Sequence, residues 1–353
     1  MILADSGTNV VRRLGLTSLL LGPVVVVSDR LDAVGELTLF VLAAAALIPI
    51  SWLIGEATDS LARYTGPGVG GFLNATFGNA PELIIAIVAV ADGLTEIVRA
   101  SLVGSIVGNL LLVLGFTLLF GRKGTIDRLS AYVSLGLVAF AAVLVLVAAT
   151  PGFHGNPDRR DLAELSLPIA AVLLIVRVVV TRRALRRQRA LYSSPEDPDG
   201  WSLRTALVVL GVATVVTAFV TETLVSTLRS FADRAHLSEF FVAVVIVAII
   251  GNSTEHGSAV LLARRGRVKL AVEISLASSA QIAGLLIPLV VLISWAFEPL
   301  ALSFRPIELI AIGVAVALPA LVLGGGRTTR TGGVSLLFAY SVLAVSFYLS
   351  GDR

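Results

Sequence analysis

Long apolar runs recur along almost the whole chain, separated by short polar interruptions. A helix needs about 20 apolar residues to cross roughly 30 Å of hydrocarbon, and the runs predict helices over 14–28, 37–55, 72–92, 97–120, 128–150, 162–181, 204–228, 239–263, 268–294, 306–324 and 332–349. The pattern describes an all-α integral membrane protein with eleven transmembrane helices. The first run follows Arg12-Arg13 as a signal peptide would, but no small-residue cleavage site follows it. It therefore reads as a retained first helix.

The longest polar interruption inside this core, 182–203, divides the chain. Its first half is basic (Arg182, Arg183, Arg186, Arg187) and suits an interfacial helix extension beside anionic headgroups. Its second half, Pro195-Glu196-Asp197-Pro198-Asp199-Gly200, reads as a turn-rich linker. An N-terminal segment 1–36 precedes one five-helix unit, 37–181, and a second five-helix unit occupies 204–353. The two units echo each other. Glu56 leads the first as Glu222 leads the second, Gly78-Asn79-Ala80-Pro81-Glu82 is matched by Gly251-Asn252-Ser253-Thr254-Glu255, and Ser101–Ser105 is matched by Ser275–Ser279. An odd number of helices per unit inserts the second upside down, the inverted repeat common among secondary transporters.

Composition agrees with the pattern. Charged residues make up 14% of the chain, hydrophobic residues 56%, and mean hydropathy is +0.92, whereas a soluble domain carries about 25% charge. The absence of cysteine excludes disulfides, thiolate metal sites and cysteine nucleophiles. The net charge of +3 matters less than its distribution, and nothing in it suggests a nucleic-acid partner. Placing the N-terminus inside puts most of the Arg and Lys residues in cytoplasmic loops, so the positive-inside rule predicts an inner N-terminus and an outer C-terminus.

The chemistry concentrates in the two Gly-Asn-x-x-Glu motifs. A carboxylate at mid-membrane costs roughly 2.5–3.5 kcal/mol on insertion scales, so an intramembrane acid is a functional candidate by default. Glycine is a poor helix residue, asparagine competes for backbone hydrogen bonds, and Pro81 leaves the carbonyl of Phe77 without its normal donor. Both helices should therefore break at their motif. Asn79 and Glu82 share a helical face, as do Asn252 and Glu255. Facing one another, they would make a cage of carboxylate, amide and backbone oxygens, including those of Gly78 and Gly251. Hard oxygen donors without thiolate suit Ca²⁺. Ser105, Asn109, Ser278, Ser279 and Gln281 could add oxygens, although such residues also join membrane helices structurally. His256 is a candidate proton relay, and Glu56 and Glu222 are candidates along an ion path. Two close carboxylates in low dielectric resist being ionised together, so protons and the cation compete for the same oxygens.

The run Gly71–Ile85 closely resembles the first signature of calcium/proton antiporters of the cation-exchanger (CAX) family, and Ala100–Gly115 is similar to the helix that follows it. Gly251-Asn252-Ser253-Thr254-Glu255-His256 resembles the second signature, and Ser278-Ser279-Ala280-Gln281-Ile282 its companion helix. The resemblance covers the chain from about residue 37. It implies a sodium/calcium-exchanger-like fold and Ca²⁺/H⁺ exchange by alternating access, with Glu82 and Glu255 as the central acids. It also implies no cofactor, a bacterial inner or an organellar membrane and a homotrimeric assembly. Pro81 departs from the family's usual small or hydroxyl residue and resembles the proline of sodium/calcium exchangers, which keeps Na⁺ open as counter-ion. Other divalent ions such as Mn²⁺ remain open as cargo. A passive cation channel is the reading from a different class.

Overall fold

The computed structural model describes residues 16–122, 124–188 and 201–352. Its named elements are all helices, which we label in chain order. They are α1 (Leu21–Arg30), α2 (Glu36–Phe77), α3 (Ala80–Ala91), α4 (Thr95–Phe120), α5 (Arg128–Ala149), α6 (Arg160–Gln188), α7 (Leu203–Ala235), α8 (Glu239–Gly251), α9 (Ser253–Arg264), α10 (Val268–Ser294), α11 (Pro306–Leu323) and α12 (Arg330–Ser350). The one extended pairing among the described residues is an isolated antiparallel bridge, Thr125 to Arg327. Among the described residues, eight helices are long and apolar enough to cross a membrane, and the bent pair α8 and α9 makes nine.

Most boundaries fall within a few residues of those predicted. The start of the chain differs. Residues 16–18 are helical, a turn at 19–20 interrupts the predicted first helix, and α1 follows with 10 residues from Leu21, while the acidic linker residues 195–200 lie outside the described residues. The predicted helices 37–55 and 72–92 are not separated by a loop, because α2 runs unbroken for 42 residues. Hydropathy measures preference for lipid, not backbone conformation. The polar residues after Glu56 continue the helix, with Thr58 donating to the carbonyl of Ile54 (2.7 Å) and Arg63 donating to Ser60 (2.9 Å). At 1.5 Å per residue such a helix is about 63 Å long, twice the hydrocarbon thickness, so part of it stands outside the bilayer.

The chain forms two compact units. One comprises residues up to Val88 together with Val180–Ala235. Here α2 packs antiparallel along α7 over its length, from the hydrogen bond of Ser230 to Glu36 to that of Tyr64 to the carbonyl of Trp201 (2.9 Å). Phe40 stacks on Phe231. Helix α1 runs parallel to α7 in constant register. A Cβ on Gly22 would lie 2.1 Å from Val216, and seven residues on, Thr223 donates to Asp29 (2.9 Å).

The other unit comprises Ala89–Val179 and His236–Arg353. Its centre is α4 and α10, whose most apolar windows are 83% and 67% buried, while α5, α6, α11 and α12 are only 28–33% buried and turn apolar faces outward. In α4 and α10 the helix widens to a π turn, over Gly108–Val113 and Ile282–Leu286. Each begins three residues beyond Ser105 or Ser279, the residues matched between the halves. Helix α8 carries a third π turn over Val242–Val247. Gly104 of α4 lies directly against it, where a Cβ would fall 1.9 Å from the carbonyl oxygen of Val244. Only glycine permits that approach.

Candidate functional site

Both Gly-Asn-x-x-Glu motifs interrupt helices, as their residues predict. In the first unit α2 ends at Phe77, Gly78-Asn79 form a turn, and α3 starts at Ala80. Pro81 thus falls in the first turn of a new helix, where a missing N–H costs nothing. In the second unit α8 ends at Gly251, and α9 leaves at 59°. Asn252 sits at the joint with φ −88° and ψ 14°, outside helical geometry. The two restarts are alike. The carbonyl of Asn79 accepts from the N–H of Leu83 (3.1 Å), and that of Asn252 accepts from the N–H of His256 (3.0 Å). Glu82 and Glu255 each occupy the first turn of the helix after the break. A helix N-terminus favours negative charge, so each carboxylate has local support.

In the first unit Asn79 and Glu82 are buried, 2% and 6% exposed. Gly78 and Glu56 are partly buried, while Glu222 is exposed on α7.

In the second unit the structure gathers four of the candidate polar residues into one network. The Asn109 amide donates to the side-chain oxygen of Asn252 (2.9 Å) and to the hydroxyl of Ser278 (3.0 Å). The Asn252 amide in turn donates to the hydroxyl of Ser105 (2.7 Å) and to the carbonyl of Ala248 (2.9 Å). All four residues are at most 5% exposed. Three helices, α4, α8 and α10, are thereby tied at the point where α8 breaks. The side-chain oxygen of Asn252 is engaged by Asn109, whereas that of Asn109 has no hydrogen-bond donor among the described residues. Ser279 is turned back onto its own helix, donating to the carbonyl of Ser275 (3.2 Å). Gln281, Glu255 and His256 are partly buried, and the hydroxyls of Ser253 and Thr254 and the Nε2 of His256 are buried without a partner among the described residues.

No group of three or more His, Cys, Asp or Glu residues fit to hold a metal occurs among the described residues. A cation here would be held largely by amide, hydroxyl and backbone oxygens beside few carboxylates, which is the donor set of a hard cation.

One feature of the second unit escapes a motif reading. Arg99 lies within the α4 span yet is 1% exposed, paired with Asp158 (2.6 Å) and donating to the carbonyl of Ala301 (3.3 Å). Arg305 bonds Glu96 (3.4 Å) and the carbonyl of Gly351 (2.8 Å), while Asp352 accepts from the N–H of Phe240 at the start of α8 (2.8 Å). By position along the chain these residues read as boundary charges. Arg99 stands only three residues into the predicted span 97–120, so its burial could not be read from its position.

The sequence pattern of the sodium/calcium exchanger protein family matches residues 36–183 and 205–349. The chain belongs to this family. Within it, the Ca²⁺/H⁺ antiporter ChaA of Bacillus subtilis is 37% identical over 323 residues, covering 88% of this chain and 92% of the relative. The Ca²⁺/H⁺ antiporter of Synechocystis is 33% identical over 340 residues, covering 89% and 91%. Among solved structures, native YfkE superposes with a TM-score of 0.79 at 34% identity, covering 93% of this chain and 97% of that one. The H⁺/Ca²⁺ exchanger CAX has a TM-score of 0.72 at 15% identity, over 96% and 92%, a likeness of fold. Family membership and the apolar spans make this an integral membrane protein that resembles calcium/proton antiporters.

Proposed function

We propose that the protein is a secondary active antiporter that exchanges Ca²⁺ for H⁺ by alternating access. The observation that carries this reading is the pair of carboxylates, Glu82 and Glu255, each in the first turn of a helix restarted at a Gly-Asn break. The relatives named as Ca²⁺/H⁺ antiporters support the cargo and the counter-ion. An inverted repeat is supported by the family match over two stretches of similar length, 36–183 and 205–349. The π turns placed alike in α4 and α10 support it as well.

Charge arithmetic explains coupling. Two ionised carboxylates are neutralised either by one Ca²⁺ or by two protons. Both loaded forms are then neutral and can rearrange in a low-dielectric environment, whereas the empty, doubly charged form pays heavily for desolvation. Slippage without cargo is suppressed, and the exchange is obligatory. Asn79, Asn252 and the backbone carbonyls of Gly78 and Gly251 complete the oxygen set, with Ser105, Asn109, Ser278, Ser279 and Gln281 around it. His256 passes protons to and from Glu255, and Glu56 lies along the path to solvent. No cofactor is required. We place the protein in a bacterial inner membrane with its N-terminus cytoplasmic, as a homotrimer.

The test is ⁴⁵Ca²⁺ uptake into proteoliposomes under an imposed pH gradient without Na⁺. Uptake follows the gradient in the wild type and falls to background in Glu82→Gln and in Glu255→Gln. Gradient-independent flux would instead identify a channel, and a requirement for Na⁺ would make Pro81 the better guide to the counter-ion.

A further inference from the structure

A second, differently built site lies in the first unit, between α1 and α7. Two adjoining cavities share Val26 and Phe219. One, of about 290 Å³, is lined only by apolar residues, among them Gly22, Pro23, Val27 and Val216. The other, of about 280 Å³, continues it toward the end of α1 and is lined by Asp29, Arg30, Glu222, Thr223 and Ser226. The parallel register of the two helices produces this order. Apolar positions face one another around Gly22 and Val216, and two turns later α1 ends in Asp29-Arg30 opposite Glu222-Thr223.

The groove thus has an apolar slot leading to a charged end, the layout of a phospholipid. Its charged end is open. Arg30 and Glu222 are exposed, and neither has an ion-pair partner or hydrogen bond among the described residues. Asp29 is steered into place by Thr223, which is 2% exposed, through one carboxylate oxygen, leaving the other available. At the edge of a bilayer such charges gain most from a headgroup of complementary charge. Arg30 matches a phosphate. The two carboxylates and the Ser226 hydroxyl match a primary ammonium, which donates three hydrogen bonds. A trimethylated ammonium donates none, and an anionic headgroup without an amine meets two carboxylates against one guanidinium.

We infer that this groove binds a glycerophospholipid with a primary-amine headgroup, its acyl chain along Gly22 and Val216 and its ammonium between Asp29 and Glu222. Bound there, the lipid fastens α1 to α7, one of the two helices against which this short helix packs.

The test is native mass spectrometry of the purified full chain, released from detergent after equilibration with equal amounts of phosphatidylethanolamine and phosphatidylcholine bearing identical acyl chains. Since a hydrogen bond to a charged group is worth on the order of a tenfold change in affinity, the wild type retains the ethanolamine lipid about tenfold over the choline lipid. The double variant Asp29→Asn/Glu222→Gln retains both equally. Arg30→Gln loses both lipids in parallel while keeping the preference, because both carry a phosphate. Equal retention by the wild type would overturn the inference, and that comparison needs no variant to fold. An undiminished preference in the double variant, or stronger retention of phosphatidylglycerol than of phosphatidylethanolamine, would overturn it too.

Discussion

Asn252 carries more of the second unit's architecture than its single amide suggests. It accepts from Asn109, donates to Ser105 and binds the carbonyl one turn back, at the residue where α8 gives way to α9. Replacing it with alanine leaves a buried amide hydrogen and a buried hydroxyl short of a partner. Each such group costs about 1–3 kcal/mol. Asn252→Ala should therefore lower the melting temperature of the detergent-solubilised protein by several degrees and slow Ca²⁺ uptake. Ser279→Ala, which removes only a bond to its own helix, should do neither to a comparable extent. Equal melting temperatures for Asn252→Ala and the wild type would show that the network contributes nothing. That Asn109 and Asn252 need polar partners was legible in the sequence, since an amide in an apolar run demands them. That they satisfy each other was not, because the two lie 143 positions apart and only the packing of α4 against α8 joins them.

At the scale of helices, the breaks were legible and the π turns were not. Gly78-Asn79 and Gly251-Asn252 weaken the helix through backbone preference, a property of the residues themselves. A π turn inside Gly108–Val113 or Ile282–Leu286 changes only the helical period, and in a segment apolar all round no polar stripe exists to register the change. The unbroken α2 was hidden for a related reason. The polar residues from Glu56 to Thr65 suggest a loop to any hydropathy window, yet their hydroxyls bond back to the helix. Close packing against a π turn yields a sharp expectation. In Gly104→Ala the new methyl meets the carbonyl oxygen and carbon of Val244, at 1.9 and 2.6 Å, atoms that no rotamer change can move. Helices α4 and α8 must separate, at a cost of about 1–3 kcal/mol or more. A thermal melt should show that loss. Gly211→Ala on α7 has nothing within 4 Å of the new methyl and should be neutral or stabilising, by up to about 1 kcal/mol. A melt in which the two variants behave alike would contradict the packing described.

For the whole molecule, the apolar pattern and two short motifs were enough to indicate class, approximate span limits and family, because membrane insertion makes hydropathy a structural code. What they could not indicate is the division into units. One unit joins the beginning of the chain to Val180–Ala235, and the other joins Ala89–Val179 to His236–Arg353, so that contact partners are far apart in sequence. Each motif glutamate heads its own restarted helix, one on either side of that division. The proposed obligatory exchange requires that the two acids together take up one divalent cation or two protons. The most direct measurement records internal pH and ⁴⁵Ca²⁺ together in proteoliposomes that begin at equal pH on both sides, without Na⁺, when Ca²⁺ is added outside. The predicted result is alkalinisation of the interior in step with Ca²⁺ entry, with both signals lost in Glu82→Gln and in Glu255→Gln. Ca²⁺ entry without a change in internal pH, or coupled movement that persists in either variant, would contradict it.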